Sequence, residues 1–189
     1  MAKTDSTMVP LGTPAPDFTL PDSAGAEHSL SDAGEAKAVV VAFICNHCPY
    51  VQHLSPALGE VTREMLSSGV AVFGINSNDA EAYPDDSPTA MVVEVEARGY
   101  EFPYLVDADQ SVARAYGAVC TPDFFVYDSE RKLVYRGQFD GTRPSGSEPA
   151  TGADLKAAVE AVLLGEAVPE PQLPSTGCSI KWRPGNEPG

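Results

Sequence analysis

The chain has 189 residues, 43% of them hydrophobic, a size that suits one domain with a sizeable core. Its 27 acidic residues against 12 basic ones give a formal charge of −15, a balance that repels nucleic-acid phosphates and anionic lipid surfaces. No stretch approaches the roughly 20 apolar residues of a membrane span, so neither nucleic acid nor membrane is expected as a partner, and the expected compartment is the cytoplasm.

Residues 12–22, with Gly25 and residues 27–30 after them, predict a short β-hairpin, and Ser31-Asp32 offers a cap for one helical turn. Residues 38–44 are a continuous, largely β-branched apolar run, the mark of a strand buried on both faces. Cys45-Asn46-His47-Cys48 follows at once. Beyond it Val51, Leu54, Leu58, Val61 and Met65 recur at spacings of three and four, which predicts an amphipathic helix starting at the cysteines and kinked at Pro56. Gly69 ends that helix, and residues 70–76 predict a second buried strand, completing a right-handed β–α–β unit. The loop 77–87 carries Asp79, Glu81, Asp85 and Asp86, and like the other acids of the chain these read as solvated surface. Pro88 opens a helix containing Met91, Val92 and Val95. A strand at 104–106, a helix at 110–116 and a β-hairpin of 123–128 with 132–138 come next, then a last helix at 154–164. From Val168 onward five prolines and three glycines predict no regular structure, although Trp182, with Cys178 and Ile180, favours a docked tail over a dangling one. The expected organisation is an extension at 1–11, a domain at 12–165 and a Pro/Gly-rich tail at 166–189.

Four cysteines, at 45, 48, 120 and 178, are too few and too unevenly spaced for a disulfide framework, and in a reducing cytosol a close pair is catalytic or metal-binding. A strand that ends at Cys45 and a helix that begins near Cys48 put both sulfurs beside unpaired backbone N–H groups and a helix dipole, which favours thiolate. His47, if protonated, would stabilise a neighbouring thiolate further. Two thiolates with His47 or Cys120 would also serve a metal ion, but only one C-x-x-C is present, so no metal and no other cofactor is expected. Cys178 is expected to be dispensable for dithiol turnover.

The order of elements, with Thr121-Pro122 before a β-hairpin, resembles the thioredoxin superfamily. The opening residues 12–20 resemble the entry segment of its peroxiredoxin branch, which includes alkyl hydroperoxide reductases and thiol-specific antioxidant proteins. Residues 43–51, 83–88, 120–125 and 177–182 resemble an uncharacterised peroxiredoxin-like group of bacterial proteins, and the similarity spans 10–188. The resemblance implies an α/β thioredoxin-like fold: a central mixed β-sheet flanked by helices, an N-terminal β-hairpin and an extended C-terminal tail. It implies a cis Thr121-Pro122 bond that faces the dithiol and offers its backbone to an incoming substrate. Cys120 would then lie nearby, as an accessory thiol or a small buried hydrophobe. Two departures stand out. Peroxiredoxins place a threonine or serine three residues before the peroxidatic cysteine, where this chain has Cys45, and thioredoxins carry a buried aspartate on the leading strand, where residues 39–44 hold no acid.

The expected function is thiol–disulfide oxidoreduction, an antioxidant-type redox activity in which the more exposed Cys45 attacks and Cys48 resolves to leave a disulfide bond. Its partners would be a thiol or disulfide protein, or a small-molecule thiol reductant. One alternative is a peroxiredoxin-type peroxidase with a hydroperoxide substrate, Cys48 as the peroxidatic sulfur and Cys45 as the resolving one. The other is a non-enzymatic metal-binding or redox-sensing module. The sequence leaves the oligomeric state open.

Overall fold

In a computed structural model that describes residues 3–188, the chain runs through ten strands and four α-helices. In order these are β1 (Lys3–Asp5), β2 (Thr19–Pro21), β3 (Glu27–Ser29), β4 (Val39–Phe43), α1 (Pro49–Ser67), β5 (Ala71–Asn76), α2 (Pro88–Arg98) and β6 (Tyr104–Val106). There follow α3 (Ser111–Tyr116), β7 (Cys120–Thr121), β8 (Asp123–Tyr127), β9 (Leu133–Gly137), α4 (Ala153–Leu164) and β10 (Thr176–Ser179).

The main sheet has the order β6-β5-β4-β8-β9. β4 lies at its centre, parallel to β5 and antiparallel to β8, and every one of its residues is buried. That explains the unbroken apolar run: with both faces covered, alternation with polar residues has no use. Val40, Ala42 and Ile44 face a core made with α1, α2 and α4, while Val39, Val41 and Phe43 face a second core built from α3 and the N-terminal hairpin. The architecture is the mixed sheet flanked by helices that the resemblance implies.

Several local expectations are corrected. The helical turn after the hairpin is a 3₁₀ turn at Leu30–Ala33 whose N-cap is Ser29 rather than Ser31, with Asp32 accepting from the Ser29 N–H at 2.8 Å. α1 continues as one helix through Pro56, and the Ser55 hydroxyl beside it donates to the Val51 carbonyl one turn back.

The largest correction concerns the two ends of the chain. Residues expected to be an extension and an irregular tail form a separate three-stranded sheet of order β1-β10-β7. Lys3 to Asp5 pair with Cys178 to Thr176, and on the other side Cys178 pairs with Thr121 and Ser179 with Cys120. No prolines fall between Pro174 and Pro184, which leaves enough backbone N–H groups for pairing. After β10, Ile180 is buried and donates to the Val119 carbonyl, and Trp182 packs on the second core. Lys181 is held through its backbone by Asp79, Asn78 and Gln110.

A tail held this way belongs to the cooperative unit. Ile180→Ala is expected to lower the unfolding free energy by about 2–5 kcal/mol, the usual range for truncating a buried Ile. A shift in the urea midpoint reads this directly; an unchanged midpoint would place the tail outside the folding unit.

Candidate active site

β4 delivers the chain to Cys45 at the carboxyl end of the sheet, and Pro49 opens α1. Cys48 is therefore the N-cap, next to N–H groups that the helix leaves without partners. Because β8 starts opposite the end of β4, with Phe43 facing Asp123, the cis Thr121–Pro122 bond lies against the dithiol. The Thr121 hydroxyl is 3.2 Å from Cys45 Sγ, and the Thr121 carbonyl is 3.2 Å from Cys48 Sγ.

The expectation of an exposed Cys45 fails, because both cysteines are buried. Cys45 is 2% exposed and Cys48 0%, because Thr121 closes over both. The motif reaches the surface at His47, Pro49 and Tyr50.

The two sulfurs sit in opposite environments. Cys48 accepts a hydrogen bond from Cys45 and backbone N–H bonds from Val51 and Cys178, which together bring its pKa down to about 5 against the pull of burial. The Thr121 carbonyl opposes this, since it accepts from the thiol alone. Cys45 is held well above the usual thiol range, first by donating to Cys48, then by burial and by the nearby Asp86 carboxylate. In the reduced pair the thiolate belongs to Cys48 and the proton to Cys45.

Asp86 corrects the reading of the acidic loop as wholly solvated. It is 2% exposed and accepts from the Asn46 N–H at 2.7 Å, from Asn78 Nδ2 at 2.7 Å and from His47 Nδ1. The Asn46 side chain donates to the Asp85 carbonyl and accepts from the Tyr104 hydroxyl, so the Asn46-His47 turn is fixed on all sides. His47 stacks on Tyr83, with ring centroids 5.5 Å apart, and its Nε2 is buried without a partner. One ligand-type atom each from Cys45, His47 and Asp86 lies within 4.8 Å of the others. This trio differs from the metal set considered from sequence, the two thiolates with His47 or Cys120. The Asp86 oxygens are already engaged by three donors, which a metal ion would have to displace.

The remaining cysteines part company. Cys120 is fully buried, its thiol points to the Pro122 carbonyl at 3.8 Å, and burial drives its pKa far up, so it packs as a small apolar residue. Cys178 is 4% exposed and its thiol is hydrogen-bonded to Cys48, with a pKa pushed up to about 12, chiefly by burial. The Thr121 backbone, expected to be open to a substrate, is instead paired with Cys178 because β10 occupies that edge.

Asp86, Asn46, Asn78 and Tyr104 escaped the sequence reading. Asp86 comes from a loop about forty residues past the motif, where it looks like any other surface acid. Asp123, beside the cis bond, is also a buried acid: burial raises its pKa well above the carboxylate range, opposed only by the Phe124 N–H.

Comparison with known proteins gives this geometry a context. The profile of the AhpC/TSA family matches residues 11–136. Over 131 residues, 69% of this chain and 70% of the relative, the sequence is 30% identical to the thiol-disulfide oxidoreductase ResA of Geobacillus thermodenitrificans (strain NG80-2). The crystal structure of the hypothetical protein SMc02350 from Sinorhizobium meliloti 1021 is 52% identical, with a TM-score of 0.94 over 96% of this chain and 100% of that one. A thiol:disulfide interchange protein of the thioredoxin family from Chlorobium tepidum TLS, 22% identical, has a TM-score of 0.62 over 80% of this chain and 97% of its own. That likeness is one of fold, and the fold is thioredoxin-like.

The lowered pKa of Cys48 has a pH signature. A group whose folded pKa is depressed adds stability above its unfolded value and loses it as pH falls, here through about 5. The ultraviolet thiolate absorbance of the reduced protein is expected to appear with a midpoint near pH 5 and to vanish in Cys48→Ser. A midpoint at the ordinary thiol value would remove the assignment.

Proposed function

The chain belongs to the AhpC/TSA family, with thiol–disulfide oxidoreductase relatives, and from that premise we propose that Cys45 and Cys48 are its redox dithiol, with Cys48 as the attacking thiolate. The observation that carries the assignment is the position of Cys48 at the N-cap of α1, where N–H groups of Val51 and Cys178 meet its sulfur. This reverses the order of attack expected from sequence, which rested on an exposure that Cys45 does not have.

In the proposed cycle the Cys48 thiolate attacks one sulfur of a substrate disulfide; that S–S bond breaks and the leaving thiolate takes up a proton. Cys45 then loses its proton and attacks Cys48, releasing the second substrate thiol and leaving Cys45–Cys48 oxidised. His47 and Asp86, within 4.8 Å of Cys45, are the groups placed to accept that proton. They take the role that an acid on the leading strand would otherwise fill. The oxidised pair returns to the dithiol at the expense of a thiol reductant, and the proposal keeps the enzyme in the cytoplasm, where such thiols are held reduced.

The burial of Cys48 favours a second reading, a peroxidase. A hydroperoxide is small enough to reach a covered sulfur: attack by the Cys48 thiolate on its terminal oxygen would break the O–O bond, release water or an alcohol after protonation and give a sulfenic acid, with which Cys45 would condense to the disulfide, releasing a further water. Both readings give Cys48 the first step, so the substrate distinguishes them.

Single-turnover reaction of the reduced protein with 2-hydroxyethyl disulfide tests the assignment. Wild type and Cys45→Ser are expected to release mercaptoethanol, while Cys48→Ser falls to the rate of a free thiol. The opposite pattern, with Cys48→Ser active and Cys45→Ser inert, would return the attacking role to Cys45. Rapid sulfenic acid formation in Cys45→Ser under dilute hydroperoxide, without reaction toward the disulfide, would select the peroxidase.

A further inference from the structure

Resting on the dithiol reading, we infer that Cys178 is a third redox thiol, placed by β10 to attack Cys48 of the oxidised pair and carry the disulfide from Cys45–Cys48 to Cys48–Cys178.

The placement is built into the backbone. β10 pairs with β7 so that Cys178 stands opposite Thr121, the residue whose hydroxyl contacts Cys45 and whose carbonyl contacts Cys48. The residue before it is Gly177, where a Cβ would lie 1.9 Å from the Thr121 carbonyl oxygen. Glycine alone allows so close an approach, and it seats the next residue against the dithiol. On its other edge β10 is backed by β1, so Cys178 is held on both sides by strand pairing.

Cys45, Cys48 and Cys178 lie in one buried cluster, with β10 packed against α1. The lowered pKa of Cys48 is owed first to Cys45 and in part to the Cys178 thiol and N–H. Cysteines gathered in this way are suited to exchange, in which one sulfur attacks and another leaves. Cys120 is different: it is just as buried, but its thiol is directed at a carbonyl.

The step balances without an added oxidant. Cys178 gives up its proton and attacks Cys48; the Cys45–Cys48 bond breaks, the Cys48–Cys178 bond forms, and Cys45 leaves as a thiolate that takes up a proton. No net electrons move. The product disulfide ties the tail strand to the start of α1 and leaves Cys45 reduced beside His47 and Asp86.

Cys45→Ser exposes the exchange, because Cys178 is then the one thiol next to Cys48 able to resolve an adduct. Treated with 2-hydroxyethyl disulfide, reduced Cys45→Ser is expected to lose the hydroxyethylthio group and to yield a Cys48–Cys178 disulfide in peptide mapping without reductant. The double variant Cys45→Ser/Cys178→Ser is expected to retain the adduct on Cys48. In wild type poised across a series of glutathione redox buffers, mapping is expected to find both Cys45–Cys48 and Cys48–Cys178. This second measurement needs no variant to fold. The relay is overturned if Cys45→Ser keeps its adduct as long as the double variant does, or if wild type shows Cys45–Cys48 alone in every buffer. A wild type that forms no Cys45–Cys48 bond would remove the dithiol reading together with the relay, whereas the two preceding results remove the relay and leave that reading in place.

Discussion

Thr121 joins three parts of the molecule that are far apart in sequence. Its hydroxyl meets the sulfur at the end of β4, its carbonyl meets the sulfur at the start of α1, and its backbone pairs with the C-terminal strand. The central pairing of β4 with β8 imposes this meeting, since the end of one strand coincides with the start of the other. All the partners are buried, so the contacts operate where water competes little and each unsatisfied polar group would be costly. Geometry here is set by main-chain positions, and side-chain freedom has little influence on it.

Within that frame the two cysteines are driven apart electrostatically. N–H donors converge on Cys48, while Cys45 is near the Asp86 carboxylate and is deeply buried. A pair of titratable groups pushed in opposite directions separates the roles of nucleophile and proton holder. Asp86 does this from a distance in sequence, and it is tied down by the same turn it organises, through the Asn46 N–H and the His47 ring. The loop that carries it is joined in turn to the tail: Asp79 donates its N–H to the Lys181 carbonyl, Asn78 accepts from the Lys181 N–H, and Lys181 Nζ lies over the Tyr83 ring that stacks on His47.

What could be read from sequence was local. The β-branched run of β4, the three-and-four spacing of α1 and Pro49 at its first turn are each written within a few residues, and they placed the dithiol at a strand-to-helix junction. The same Pro49 made Cys48 the N-cap, a stronger guide to the thiolate than position within the motif. The rest depends on contacts between distant segments. Asp86 differs from Asp85 in nothing but where the 3₁₀ turn Pro84–Asp86 points it. β1 and β10 have no apolar alternation because they are short and stabilised by backbone pairing, so composition marked them as irregular. Gly177 is indistinguishable in sequence from a loop glycine, and the constraint on it comes from the Thr121 carbonyl packed against it.

The tail strand links stability to access. Pairing with β7 covers the backbone edge beside the cis bond, and the same pairing lets β1, Ile180 and Trp182 complete the second sheet and core. A substrate chain that sought the Thr121 edge would have to displace β10 and give up those contacts. A small disulfide or hydroperoxide entering by His47, Pro49 and Tyr50 would not. The pairing that covers this edge also sets Cys178 opposite Thr121, the residue whose hydroxyl and carbonyl meet the two dithiol sulfurs, so one strand both closes the site and completes its lining.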